Sequence, residues 1–395
     1  MSASAIVVGA GIVGAACAAE LAAHGMAVRV FDAGGIGGGT TAAGMGHIVV
    51  MNDSPAEFAL ARYSRALWLE LAPQLRAIDA FRRCGTLWVA ADEEEWAAAC
   101  ALHATFAANE VAAQLLDAPA LFACEPQLSR AMAGGLLVEH DSIVYAPTAA
   151  EWLLTRSSGA PRIRLQTSTA VVRADSSSVT LADGTRVGAD FVVVASGLEA
   201  RRLVPSLPLA PKKGHLLITD RYPGFISHQL LELGYIKSAH QHAGTSVAFN
   251  AQPRPTGQIL LGSSRQFETS DPAVELPVLA QMLERCTHYL PALAGLNGIR
   301  AWTGLRAATP DGLPLIGRME SDEDGTRSHE AADKGAGIWV ATGHEGLGVT
   351  TALATARLLA SQMIGSHAEL DATPYLPGRF RALRGGADVM EHERQ

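Results

Sequence analysis

The ten residues Ala5–Gly14, AIVVGAGIVG, constrain this chain more than any other stretch. The apolar run AIVVG reads as a short buried strand, and the alanine-rich run Ile12–Gly25 reads as a helix with Gly25 as its C-cap. AVRVFD (Ala27–Asp32) reads as a second strand, so the chain opens on a parallel βαβ unit. Between strand and helix the spacing Gly9-x-Gly11-x-x-Gly14 has a physical logic. The first glycine permits a tight turn, the second lets a pyrophosphate approach the backbone, and the third lets helix and strand pack closely. Free N–H groups at the helix start, including those of Ile12 and Val13, then face the phosphates. Asp32, followed by Ala33, ends the second strand 18 residues beyond Gly14, where a ribose-binding carboxylate belongs. A loop that only turns a corner needs no acid there, so a dinucleotide site is expected.

NAD and FAD share that motif, and the continuation separates them. GGIGGGTTAAGMG (Gly34–Gly46) follows the second strand directly, where a nicotinamide domain usually moves on to another helix. Glycines with Thr40, Thr41, Gly44 and Met45 suit backbone amides and hydroxyls laid along a second stretch of a long cofactor. The expected cofactor is therefore FAD. At 395 residues the chain exceeds one compact core, and 48% hydrophobic residues suffice to fill two. A formal net charge of −8, with no run of lysine or arginine, argues against nucleic acid as a partner. Cys17, Cys84, Cys100, Cys124 and Cys286 form no close pair, which argues against a disulfide framework, a zinc site or an iron–sulfur cluster held by this chain alone. His240-Gln-His242 lacks a third ligand, so no metal is expected.

Ser2–Ala19 carries no charge and has the look of a signal-peptide core, but no basic leader precedes it and glycines interrupt it. No later apolar stretch is long enough to span a bilayer. A cytoplasmic protein is expected, at most peripheral on the inner membrane face. Further along, helices are expected over Glu57–Phe81, Glu93–Ala108, Thr148–Thr155, Asp271–Leu290 and Leu347–Ile364, and strands over Thr86–Ala91, within Arg162–Gly197 and Gly214–Gly262, and over Gly337–Gly343. Glu320–Gly335 reads as a polar loop, and the tail after Arg379 as frayed.

Four separated motifs spanning nearly the full length resemble the flavin-dependent D-amino-acid oxidase family, the group of glycine oxidase, sarcosine oxidase and the D-amino-acid dehydrogenases. They are Gly9–Gly14 with Asp32; GGGTTAAGMG; TAVVRAD with ADFVVVASG; and GLRAATPDGLPLIG with VATGHEGLGVT. The resemblance implies an adenine pocket at Val171, close approach at Ala195, Ser196 and Gly197, and flavin contacts from Gly343, His344, Gly346, Leu347, Gly348, Val349 and Thr350. GTTAAGMGHIVVMNDSP and GQILLGSSRQFE are most similar to the catalytic subunits of bacterial D-hydroxyproline dehydrogenase and opine oxidase.

The resemblance implies a doubly wound, Rossmann-like α/β FAD domain (1–85, 140–212 and 300–395) and a substrate domain on a mixed or antiparallel sheet (86–139 and 213–299). It implies an FAD-dependent dehydrogenase that oxidises the Cα–N bond of a D-amino or secondary amino acid, D-hydroxyproline or D-proline first among them, to an imine. Oxidases of opines, sarcosine or glycine, and a flavin-holding subunit without catalysis, are the alternatives. Arg306 is the expected carboxylate anchor, because a planar guanidinium matches a carboxylate with two parallel bonds. Tyr235 is a candidate partner for the substrate, and His47 and Met45 are candidates to face the flavin. Glu345 is expected either to read the substrate amine or to face water. Family members with covalent flavin carry a cysteine where Gly304 stands, so non-covalent FAD is expected. Redox partner subunits or a quinone are the expected electron acceptors.

Overall fold

The computed structural model describes residues 2–234, 244–267, 269–319 and 337–380. The loop expected over Glu320–Gly335, the tail from 381 onward, and the segment holding Tyr235, His240 and His242 lie outside them.

Ser4–Val8 and Ala27–Phe31 pair in parallel around the helix Ile12–Ala23, as the opening motif requires. They sit inside a six-stranded sheet with Ile163–Gln166 on one side and Phe191–Val194 and Trp339–Thr342 on the other, all parallel. Leu315–Arg318 closes one edge antiparallel. Alternate residues of the strands serve two cores. Ala5 and Val7 pack with the helices Ile12–Ala23, Ala146–Arg156 and Gly348–Ile364, whereas Ile6 and Val8 pack with Val179, Leu181 and Val187. Those last residues belong to a three-stranded antiparallel sheet (Val171–Ala174, Ser178–Leu181, Arg186–Gly188). The α/β class is therefore as expected, but an antiparallel sheet, not helices, covers the second face.

The second sheet has eight strands and is antiparallel except where Gln229–Glu232 runs parallel to Thr86–Ala90. Leu87 and Val89 turn toward the helix Leu276–Tyr289, while Trp88 and Ala90 turn toward the helix Glu93–Ala108. Ala210–Arg221 and Gly298–Ala308 are neighbours in this sheet, paired antiparallel from Ala210 opposite Ala308 to Thr219 opposite Gly298. Boundaries at 212/213 and 299/300 therefore cut strands, and Arg306 stands on the second sheet, not the first.

The long helix expected over Glu57–Phe81 is Pro55–Leu71 followed by two short 3-10 turns. Ser54 caps it by accepting from Glu57 N at 3.1 Å, and Pro73, which has no N–H to continue the ladder, ends it. The helix expected from Asp271 begins at Leu276, with Pro277 in its first turn. No helix among the described residues is long and apolar enough to cross a membrane.

Candidate active site

A cleft of about 970 Å³ is lined by residues of both large sheets. Its floor starts at the glycine motif. Gly9 has φ 113°, and a Cβ on Gly14 would stand 2.1 Å from the Gly9 carbonyl oxygen, so neither position admits a side chain. Asp32 accepts from Ala10 N at 2.7 Å and from Gly34 N at 2.8 Å, tying both glycine loops to the second strand. A carboxylate has about four acceptor sites, so two remain for ribose hydroxyls. The Ser196 hydroxyl beside this floor is buried and has no hydrogen-bond partner among the described residues. These residues fit the dinucleotide half of FAD.

Thr40 and Thr41 do not simply line the floor. Thr40 donates to the Leu305 carbonyl at 2.8 Å, and Thr41 Oγ1 accepts from Ile12 N at 3.1 Å. With Trp302 Nε1 donating to the Ala43 carbonyl at 3.2 Å, they brace the loop between the nucleotide helix and the strand that carries Arg306. A Cβ on Gly304 of that strand would stand 2.8 Å from the Ala43 Cβ.

Arg306 crosses a gap that its neighbour leaves open. The intervening strand presents Gly214, where a Cβ would lie 2.6 Å from the guanidinium, and Arg306 reaches over it to donate to the Ser264 carbonyl at 3.2 Å. Lys212 is its direct cross-strand partner. Lys212 in turn donates to Glu345 at 2.6 Å, and Glu345 N bonds the Ala307 carbonyl, which docks the His344–Gly348 loop onto the same strand. Burial works to raise the Glu345 carboxyl, but Lys212, with Arg306 and Arg265, outweighs it and holds the pKa below the usual range. Glu345 is thus ion-paired, at φ 47°, with its side chain still partly exposed to the cleft.

His47 has both ring nitrogens engaged, Nδ1 with Gln229 Oε1 and Nε2 with Asn250 Nδ2 at 3.2 Å, and burial lowers its pKa to about 4. Burial alone lowers His344, bonded to Thr355 Oγ1 at 3.0 Å, to about 3. Both fall below the unfolded value near 6.5, so the unfolded chain binds more protons at mild acid. Their contribution is complete above pH 6.5 and is lost as pH falls toward 4 and 3, on the order of 1.4 kcal/mol per pH unit for each histidine. The melting temperature therefore drops between pH 7 and pH 5, and drops less in His344→Gln. Equal melting at both pH values would remove this account of the two rings.

Every residue expected to bind the cofactor borders the cleft except Gly14, which packs on Gly9, and Thr350, which donates to the His47 carbonyl at 2.9 Å. Arg306, Met45 and His47 border it as well. Lys212, Asn250, Arg265 and Glu57 also border it and were not singled out from the sequence. Burial, and then the Asp53 carboxylate, raise Glu57 to about 7. In APKKGH the alternation of a strand would have put Lys212 and Gly214 on one face, but nothing local says which face meets the cleft.

The chain matches the family model described as "FAD dependent oxidoreductase" over residues 4–362. It is 26% identical over 393 residues to glycine oxidase of Pseudomonas putida, covering 95% of this chain and 99% of the relative. It is 28% identical over 357 residues to D-amino acid dehydrogenase of Cereibacter sphaeroides, covering 85% of this chain and 75% of the relative. The crystal structure of glycine oxidase from Geobacillus kaustophilus superposes with a TM-score of 0.81 at 25% identity, covering 96% of this chain and 99% of that one.

Proposed function

The chain belongs to the FAD-dependent oxidoreductase family, and we propose that it oxidises the Cα–N bond of a small D-amino or secondary amino acid, D-hydroxyproline or D-proline first among the candidates, to an imine. The observation that carries this reading is Arg306, fixed across Gly214 on the wall of the same cleft that receives the dinucleotide. FAD, when bound, supplies the acceptor for the hydride that leaves Cα.

The residues of this chain hold and orient. Arg306 takes the carboxylate, and Lys212 is neutralised by Glu345 so that the wall does not trap anions without order. Met45 and Leu216, both buried and packed together, give the cleft an apolar wall that excludes water from the reacting carbon. His47, held neutral by burial and bonded through both nitrogens, is poorly placed to take a proton, and an amine that binds deprotonated needs no side-chain base. The rate gain is then orientation and electrostatics, which can be worth several kcal/mol.

The deciding experiment is an anaerobic flavin-bleaching screen of the yellow holoprotein with D-hydroxyproline, D-proline, other D-amino acids, sarcosine, glycine and opines. Bleaching by a cyclic D-amino acid is expected. Bleaching by none of them would leave a flavin-holding subunit without catalysis. The similarity to glycine oxidase favours a second reading, an oxidase that passes electrons to oxygen. Peroxide released under air as fast as an artificial dye is reduced would establish it over a quinone or a partner subunit as acceptor.

The lack of room at Gly304 supports non-covalent flavin. Acid denaturation should release all the yellow colour into the supernatant. Colour retained in the precipitate would refute it.

A further inference from the structure

We propose that His215, on the far side of the sheet from the cleft, is a positioning residue for Arg306, acting through Ser264, whose carbonyl holds the guanidinium. The proposal rests on the reading of Arg306 as the carboxylate anchor and specifies how that anchor is aimed.

Strand alternation puts the two residues on opposite sides. In Ala210–Arg221, Lys212, Gly214 and Leu216 border the cleft. Lys213, His215 and Leu217 therefore turn the other way, and Leu217 packs with Cys286 and Tyr289 of the helix Leu276–Tyr289. Lys213 and His215 are fully buried there, in a polar cluster that the proposed chemistry does not otherwise use. The proton on the ring can be placed. Glu275 N donates to His215 Nε2 at 3.0 Å, so Nε2 is a lone pair and the neutral ring carries its proton on Nδ1. Burial first, and then the Lys213 cation, lower the His215 pKa and keep the ring neutral. Nδ1 therefore donates to Ser264 Oγ at 2.9 Å, and His215 N donates to the same oxygen at 2.9 Å. The other end is tied down as well: the Glu275 carboxylate accepts from Lys213 Nζ at 2.7 Å and from Gln266 Nε2 at 3.0 Å.

Ser264 needs that hold because the ladder toward Ala210–Arg221 is interrupted beside it. Lys213 faces Gln266 and Leu217 faces Leu261, four steps on one strand against five on the other. The strand Gln258–Phe267 thus carries one extra residue in the stretch that contains Ser264. Such a bulge breaks ladder bonds locally and leaves the backbone to be fixed by other contacts. His215 supplies two of them to one hydroxyl. The Ser264 carbonyl then accepts from Arg306 Nη1 at 3.2 Å across Gly214. The track is narrow, since a Cβ on Gly214 would stand 3.0 Å from that carbonyl oxygen and 2.6 Å from the guanidinium. Two parallel bonds to a carboxylate depend on the tilt of the guanidinium plane. That tilt is set, through Ser264, by a ring that does not border the cleft.

The test uses the holoprotein and two flat ligands of one shape, pyrrole-2-carboxylate and the neutral pyrrole-2-carboxamide. Binding is read from the perturbation of the flavin absorbance, and the ratio of the two affinities reports how well Arg306 is aimed. His215→Leu is expected to lower that ratio about tenfold, the worth of one charge-assisted hydrogen bond, while the carboxamide binds as before. In turnover the loss should appear in KM, with kcat nearly unchanged. His215→Asn, whose amide can donate to Ser264 Oγ from the place of Nδ1, is expected to recover most of the ratio. Ser264→Ala removes only the hydroxyl and is expected to lower the ratio several-fold, which decides the matter if His215→Leu does not fold. A merely structural role for His215 would weaken both ligands alike and would not be rescued by His215→Asn. Either of those results, or a ratio unchanged in Ser264→Ala, overturns the proposal. If Arg306→Lys lowers the ratio but His215→Leu and Ser264→Ala do not, the anchor stands and only its positioning by His215 falls. A ratio indifferent to Arg306→Lys removes the anchor itself and this proposal with it.

Discussion

Arg306→Lys is expected to yield a yellow, folded protein whose kcat/KM for its amino acid is about 100-fold lower, nearly all of the loss appearing in KM. The guanidinium presents two parallel N–H bonds to a carboxylate, and the shorter, single-point ammonium replaces them with one contact at a different place. Losing part of a charge-assisted pair inside a cleft costs a few kcal/mol, which sets the hundredfold scale. A second variant separates position from charge. Gly214→Ala keeps every charge, but its Cβ would fall 2.6 Å from the Arg306 guanidinium, so the side chain must leave its track across the strand. It is expected to raise KM in the same sense as Arg306→Lys, with flavin content unchanged. Steady-state kinetics with dye reduction, corrected for bound flavin, would measure both. An unchanged KM in Arg306→Lys at full flavin loading would remove Arg306 from the substrate site.

The nucleotide half of this cleft was legible because its chemistry is local. The glycine spacing, the helix start and Asp32 lie within one βαβ unit, and the demand they make on the backbone is visible in one pass of the sequence. Arg306 was legible for a different reason: it lies in a segment that resembles a known family. The other residues of this cleft were not legible, because their places are set by register. Lys212 meets Arg306 only through antiparallel pairing of Ala210–Arg221 with Gly298–Ala308. Gly214 matters because a guanidinium from the next strand passes over it. Asn250 and His47 are 203 positions apart, and no periodicity joins them. The two expected boundaries that fall inside strands share this cause, since the alternation that marks a strand does not say which sheet it joins. The Glu57–Phe81 helix failed more simply, because Pro73 outweighed the leucine spacing.

The pair Lys212–Glu345 is expected to be asymmetric, with Lys212→Met far more damaging than Glu345→Gln. Lys212 and Arg306 are cross-strand neighbours, two cations beside a cleft in which the proposed substrate would bring one carboxylate. Glu345 cancels one of them at 2.6 Å. Lys212→Met leaves the Glu345 carboxylate with Arg306 and Arg265 as its nearest counter-charges. Arg306 is then drawn from the substrate toward Glu345, and an under-compensated charge stays in a half-buried place, a change on the order of 3 kcal/mol or more. Catalytic efficiency should fall about as far as in Arg306→Lys, and the melting temperature should fall with it. Glu345→Gln removes the anion instead, and the remaining cations should bind small carboxylates a few-fold more tightly. The pH response fixes the sign. In the wild type the Glu345 pKa is held below its ordinary value, so its contribution to stability is complete above the unfolded carboxyl value and is lost only as pH falls through the lowered one. Without Lys212 burial still raises the carboxyl and only Arg306 and Arg265 still lower it, so it takes up a proton at a higher pH than in the wild type and competition for Arg306 then ends. The KM of Lys212→Met should therefore recover as acid is added, at a higher pH than any such change in the wild type. Equal losses in the two variants, or a KM in Lys212→Met that ignores pH, would mean that Glu345 does not act on Arg306.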